Sequence, residues 1–266
     1  MPTVVTDLEQ ALQAVTDGCV LATGGAGLSR KPVAALRLLV ERGVRDLELV
    51  TFVGSLDVEL LVAGGCVSSV RSSHVSLGPA GRASAFTDAV ASGTILDREE
   101  SEWMLLGRLR AASAGLAFLP TRAALGSELL DGAGIETVVD PYSGDELLAI
   151  PPLRPDVAII HAWRADAAGH VQFPFPPEHL WDVDVLLARA ARHVIVTVEH
   201  IVSSSEVSAH AERTVLHPYE IHAVVAAPGG AAPTASLPDY SADLSAVSSV
   251  TPATVRVVQG TLDCSC

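Results

Sequence analysis

The stretch Asp17-Gly18-Cys19-Val20-Leu21-Ala22-Thr23-Gly24-Gly25-Ala26-Gly27-Leu28-Ser29-Arg30-Lys31-Pro32 decides how this chain reads. An apolar strand runs into a glycine turn, two cations follow, and Pro32 suits the first position of an amphipathic helix. A strand, glycine loop and helix in that order aim backbone N–H groups and a helix N-terminus at one point, a setting for negative charge. Gly24, Gly25, Ala26 and Gly27 are therefore candidates for holding an anion or a developing oxyanion. Arg30 and Lys31, the only lysine of the chain, are candidates for neutralising a carboxylate or phosphate. A tight turn needing positive φ accounts for the same glycines without any ligand.

Spacing removes two nucleotide readings. Counted from Gly25, a dinucleotide fingerprint needs a third glycine at position 30, where Arg30 stands. A phosphate-binding loop needs Ser or Thr after its lysine and glycine before it; Lys31 has Pro32 and Arg30.

Working outward, short β-branched runs alternate with helical stretches, which predicts an α/β fold. Helices are expected over residues 6–16, 32–42, 57–63, 84–91, 101–114 and 178–191. In the fifth of these, Trp103, Leu106, Leu109 and Ala112 fall near helical spacing. Strands are expected over 19–23, 47–53, 67–77, 116–119, 135–139, 146–150, 156–161, 193–199 and 221–226. Segments 120–134 and 200–220 read as loop-rich, and 228–240 as a long turn. No internal repeat or compositional break appears, so residues 1–266 read as one domain.

The 266 residues are 49% hydrophobic and carry a net charge of −14, from 17 basic and 31 acidic side chains. Such a balance repels a nucleic-acid backbone and an anionic membrane surface. No uncharged apolar run approaches roughly 20 residues, so no spanning helix is expected. The N-terminus lacks the basic start of a signal peptide. Cys19, Cys66, Cys264 and Cys266 are too few and scattered for a disulfide framework, and a cytoplasmic location is expected. His161, His170, His179 and His193 lack metal-site spacing, and no metal is expected.

The sequence resembles the family I coenzyme A transferases, specifically their α (alpha) subunits. Asp17, Gly18, Leu21, Ala22, Gly24, Gly25 and Pro32 match that family's signature, whereas Thr23, Ala26 (for Phe) and Arg30 (for Gly) depart from it. The likeness continues through Val44-Arg45-Asp46-Leu47, through Leu61-Val62-Ala63-Gly64-Gly65-Cys66-Val67 and through Phe118-Leu119-Pro120-Thr121-Arg122. It resumes in Asp156-Val157-Ala158-Ile159-Ile160-His161-Ala162 with Asp166 and Gly169, and in Val225-Ala226-Ala227-Pro228-Gly229-Gly230-Ala231.

The resemblance implies an open, mostly parallel sheet flanked by helices. It also implies a partner β (beta) chain, in a heterodimer or heterotetramer, with the active site between the two chains. Coenzyme A would arrive as part of an acyl-CoA substrate, with no separate cofactor. In such transferases the nucleophilic glutamate lies on the β chain, within Ser-Glu-Asn-Gly or a similar motif, which is absent here. The loop Gly24–Gly27 would then help hold the substrate or its oxyanion.

A second likeness is to the α chains of actinobacterial steroid-catabolic CoA hydrolases, which open a carbocyclic ring. Ser29-Arg30-Lys31-Pro32, Val75-Ser76-Leu77 and the glutamate of Ser101-Glu102-Trp103-Met104-Leu105-Leu106 carry it. In those chains a glutamate at the matching helix start is implicated in catalysis, which makes Glu102 a candidate general base. A carboxylate in a helix's first turn is equally favoured by the helix dipole alone. Ser76 joins the candidate binding residues, on a strand expected to face the cleft. Transfer of CoA between carboxylates leads, with ring-opening hydrolysis, decarboxylation and a non-catalytic role beside the β chain as alternatives.

Overall fold

The structure, a computed structural model, describes residues 5–130, 133–250 and 255. In chain order its strands are β1 Val20–Ala26, β2 Leu47–Gly54, β3 Val67–Val75, β4 Leu96–Glu99, β5 Leu119–Thr121, β6 Thr137–Val139, β7 Glu146–Ile150, β8 Val157–Asp166, β9 Val171–Gln172, β10 His193–Val202, β11 Thr214–Leu216 and β12 Ala223–Ala226. Its helices are α1 Leu8–Ala11, α2 Val33–Glu41, α3 Leu56–Ala63, α4 Ser84–Ala91, α5 Glu102–Ser113, α6 Trp181–Ala190, α7 Ser204–Ala209 and α8 Leu244–Ser248.

Seven strands run parallel in the order β12-β10-β8-β1-β2-β3-β4. The short β9 and β11 extend this sheet antiparallel from the far half of β8. A separate antiparallel sheet, β5-β7-β6, stands beside it. The central strands are apolar on both faces, as strands covered by helices on both sides must be. With period two along β1 and β2, Leu21 and Leu49 point to the layer containing α2 and α3, packing with Leu36, Leu39 and Leu61. Their neighbours Ala22, Val50 and Phe52 point to α5 and α6, packing with Leu105, Leu109 and Leu187.

Strand order runs outward from β1 in both directions, to β2, β3 and β4 on one side and to β8, β10 and β12 on the other. The reversal lies between β1 and β8. Crossover helices leave on opposite faces there, and the crevice at the carboxyl ends of the two strands is the usual ligand position in open α/β sheets. The glycine loop sits at that point.

The α/β, mostly parallel architecture expected from the sequence is the one observed. Residues 6–16 form a shorter helix than expected, α1 followed by one turn over Leu12–Ala14. Pro32 takes the N-cap of α2 at φ −76° and ψ 56°, one place before the expected N1. Trp103 is 61% exposed although its spacing matched the buried face of α5. Leu109 and Ala112 are buried as that spacing implied, joined on the face by Met104, Leu105, Arg108 and Ala111. The strands β4, β9 and β11 and the helices α7 and α8 had no apolar period long enough to reveal them. Cys264 and Cys266 lie outside the described residues.

Candidate functional site at the end of strand β1

Gly24 and Gly25 are buried, and the chain reaches the surface over Ala26–Ser29. Each buried glycine answers a close approach. A Cβ on Gly24 would stand 2.7 Å from the Ile160 side chain, and one on Gly25 (φ +78°) 2.4 Å from the Ser29 carbonyl oxygen. Gly27 (φ +54°) differs, because a Cβ there would meet nothing within 4 Å. The loop is therefore packed at its base and open at Gly27.

The N–H groups of this loop are largely spent inside the chain. Gly25 donates to Asp184 Oδ1 at 2.8 Å, Ala26 to the Ser29 carbonyl at 3.1 Å and Gly27 to the Val53 carbonyl at 3.1 Å. Ser29 and Arg30 donate to the Ala26 and Ala235 carbonyls, at 3.1 and 2.7 Å. The Leu28 N–H, at the turn's tip, makes no hydrogen bond among the described residues. The expectation that Gly25, Ala26 and Gly27 present their N–H groups to a ligand is thus corrected in detail. Folding of the turn itself consumes those donors, and the one left over is on Leu28.

Lys31 is corrected more strongly. It is fully buried, and its ammonium lies within reach of four acceptors: the Gly25 carbonyl (2.9 Å), Thr51 Oγ1 (3.1 Å), the Val53 carbonyl (3.0 Å) and Asp57 Oδ2 (2.9 Å). An ammonium has three N–H bonds to give, so none is left for an outside anion. Burial raises the Asp57 carboxyl, but Lys31 and the donors Thr23 Oγ1 and Ser55 N–H outweigh it and hold the group below its ordinary range. Lys31 and Asp184 together grip the Gly25 peptide, one at its carbonyl and the other at its N–H.

Arg30 is also turned inward. It adopts φ +53°, a left-handed conformation uncommon for a residue other than glycine. Its guanidinium is 2% exposed, pairs with Glu178 at 2.6 Å and with Asp184 at 3.4 Å, and lies 5.4 Å over the Phe173 ring. Burial works against the Arg30 charge, yet Asp184 and Glu178 raise its pKa. Asp184 itself is pushed above its ordinary value by burial, despite Arg30 and the Gly25 N–H. Neither cation is the solvated anion-binder its place in the sequence suggested.

Glu102 opens α5, whose N-cap Ser101 accepts from the Met104 N–H at 3.2 Å. The Glu102 carboxylate is exposed and makes no hydrogen bond or ion pair among the described residues. α5 enters directly after β4, parallel to β1, so Glu102 stands at the same carboxyl edge of the sheet as the glycine loop. Its neighbour Glu100 is the buried one, held by Arg71 and by Arg108 Nε at 2.7 and 2.9 Å. Ser76 follows β3 at that edge. Its Oγ accepts from the Gly78 N–H at 2.9 Å, a turn contact.

A third layer escaped sequence reasoning. His161 Nε2 lies 2.7 Å from Glu199 Oε1 and its Nδ1 2.9 Å from Thr197 Oγ1. Glu199 also accepts from the Gly229 N–H at 2.6 Å and from the Tyr240 hydroxyl. Burial would raise Glu199, but these donors win and bring it down to about 2. Tyr240 is raised by burial and by its bond to Glu199. The cluster ties the segment 228–240 to the sheet, and that segment in turn clasps the glycine loop through Ala235 and through Thr234 Oγ1, 3.2 Å from the Lys31 N–H. A glutamate inside the apolar run Val194-Ile195-Val196-Thr197-Val198-Glu199 was the signal available in the sequence.

Among the described residues, no three His, Cys, Asp or Glu side chains are grouped to hold a metal ion. No described helix is long and apolar enough to cross a membrane.

The glycine loop thus lies at the switch point of a parallel sheet, backed by buried ion pairs and open at its tip, where open α/β folds bind their ligands. The sequence matches the coenzyme A transferase family over residues 5–227, and the protein belongs to that family. It is 34% identical over 253 residues to the cholesterol ring-cleaving hydrolase IpdA subunit of Mycobacterium tuberculosis, covering 91% of this chain and 85% of that one. Among solved structures, the decarboxylase AibA/AibB superposes with a TM-score of 0.85 at 34% identity, covering 99% of this chain and 100% of that one. The glutaconate coenzyme A-transferase of Acidaminococcus fermentans superposes with the same TM-score at 26% identity, covering 97% and 85%.

Proposed function

We propose that this chain is the α subunit of a two-chain enzyme that moves coenzyme A from an acyl-CoA to a carboxylate. The observation that carries this reading is the glycine loop at the β1/β8 crevice, open at Gly27 and with the Leu28 N–H uncommitted. The partner chain supplies a nucleophilic glutamate, since this chain has no Ser-Glu-Asn-Gly. Attack of that glutamate on the thioester carbonyl places negative charge on the carbonyl oxygen as the coenzyme A thiolate leaves. The role of this chain is to meet that charge with the Leu28 N–H and to admit the thioester closely at Gly27. The thiolate then attacks the acyl-glutamyl anhydride and releases the first carboxylate, leaving a glutamyl-CoA thioester for the second. Trp103, exposed beside Glu102, is an apolar surface of the kind that a partner subunit covers.

The test is to purify the chain with the product of the adjacent gene, add acyl-CoA alone, and look by mass spectrometry for a glutamyl-CoA adduct on the partner. Absence of the adduct under trapping conditions counts against transfer. A second reading, hydrolysis of a cyclic oxo-acyl-CoA with Glu102 as general base, is favoured by the unpaired Glu102 carboxylate and by the likeness to the IpdA subunit. That reading expects Glu102→Gln to abolish turnover in a pair that forms no adduct. Full activity of Glu102→Gln removes it.

A further inference from the structure

The described residues contain four buried side-chain donors without a hydrogen-bond partner, and three belong to one cluster: Trp163 Nε1, Arg164 Nη2 and Arg213 Nε. The fourth, Arg30 Nη2, belongs to the guanidinium lying over Phe173, whose backbone N–H donates to the Arg213 carbonyl at 3.2 Å. Buried donors are nearly always paired, because leaving one unmade costs the full desolvation of the group. Three donors around one indole, beside two cations, suit an acceptor with several oxygens.

The charge arrangement says what the acceptor is. The Arg164 guanidinium lies 4.4 Å from the centre of the Trp163 ring, and the Arg213 guanidinium 5.7 Å from it. Two cations share one ring, and after burial their mutual repulsion is the next cause that lowers Arg164. Arg164 is tethered through Nε to Gln172 Oε1 at 2.8 Å, leaving its outer nitrogens unspent there. The nearby acids do not satisfy the set. Glu212 approaches Arg213 Nε at 3.4 Å without making a hydrogen bond, and Glu206 gives its carboxylate to Ser203. A cavity of about 170 Å³ opens against Arg213, walled by Phe173, Phe175 and Trp181. Arg213, 23% exposed, is the side of the cluster that faces this cavity.

We propose that Trp163, Arg164 and Arg213 form an oxyanion site that takes a phosphate or carboxylate group, entering from the aromatic cavity and displacing Glu212. Planar guanidinium forks and an indole N–H suit the oxygens of such a group, and an anion relieves the repulsion between the two arginines. The site adjoins the glycine loop through Arg30, whose guanidinium lies over the cavity wall Phe173, and does not depend on whether the enzyme transfers or hydrolyses.

The test is calorimetric titration of the full chain, in the assembly in which it purifies, with inorganic phosphate and separately with acetate at constant ionic strength. Saturable binding of one anion per chain is expected. It should weaken about tenfold or more in Arg164→Gln and in Arg213→Gln, the worth of one charge-assisted hydrogen bond. It should be unchanged in Arg82→Gln, whose exposed guanidinium pairs with Asp88 elsewhere. Binding of phosphate alone assigns the site to a phosphate group, and binding of acetate to a carboxylate. No saturable heat from either anion, or equal binding in folded Arg164→Gln and Arg213→Gln variants, overturns the proposal. Arg213→Lys, which keeps the charge but loses the fork, should bind more weakly than the parent and better than Arg213→Gln.

Discussion

Lys31 shows what a single side chain contributes here. A lysine beside a glycine loop reads as a ligand for an anion, yet its ammonium is locked between Asp57, Thr51 and two carbonyls. Removing one member of a buried ion pair leaves an uncompensated charge, whereas removing both does not. Lys31→Met is therefore expected to destabilise the protein by about 3–5 kcal/mol, and adding Asp57→Leu to recover much of that loss. Urea unfolding of the single and double variants measures both. A single variant as stable as the parent would make Lys31 a free cation after all. Gly25→Ala is the complementary case. Its φ of +78° and the Ser29 oxygen 2.4 Å from the new Cβ force the turn open. A loss of about 1–3 kcal/mol is expected, read by the same unfolding curves.

At the scale of elements, two helix starts matter most. α4 has no side-chain cap of its own. Its first N–H groups are met instead by Glu59 of α3, which accepts from Ala85 N–H at 2.7 Å and Phe86 N–H at 3.2 Å, and lies 3.2 Å from Ser84 Oγ. A buried carboxylate at a helix N-terminus satisfies orphan donors and the helix dipole together. Glu59→Ala should cost about 2–4 kcal/mol by orphaning two buried N–H groups, with Glu59→Gln less damaging. Thermal unfolding of the pair checks the order. α5 is capped locally by Ser101, and Ser101→Ala should cost about 1 kcal/mol while leaving the Glu102 carboxylate in place. Comparing turnover of Ser101→Ala and Glu102→Gln separates a need for the helix start from a need for the carboxylate.

For the whole molecule, the segment 228–240 closes one flank of the crevice, and Glu199 holds it. Glu199 falls from its ordinary value of 4.5 to about 2 in the folded protein. A carboxyl lowered on folding adds stability that is complete above its unfolded value and is lost as pH falls through its folded value. Stability should therefore decline as pH drops from about 4.5 toward about 2. Glu199→Gln should flatten that part of the acid limb while lowering stability at neutral pH. Denaturant titrations across that range decide it, and an unchanged acid limb would mean that other carboxylates govern it.

How much of this was legible in the sequence follows from the range of the forces. The strands β1 and β2 were readable as continuous apolar runs and the helix α2 from its apolar period, and Gly43 and Gly64 mark helix ends locally. The glycine loop was readable as a turn because Gly25 and Gly27 need φ above zero. The order of the blocks was enough to imply the family. Which groups the loop presents was not legible. Asp184 reaches Gly25 from 159 residues away, Asp57 reaches Lys31 from 26, and Glu199 meets the Gly229 N–H from 30. Desolvation and pairing decide whether a cation faces water or a carboxylate, and both depend on what the fold packs against it. The sequence by itself determined an α/β chain, its glycine turn and its likeness to the coenzyme A transferase family. Only the tertiary structure decided that Arg30 and Lys31 hold that loop together while the Leu28 N–H makes no hydrogen bond among the described residues.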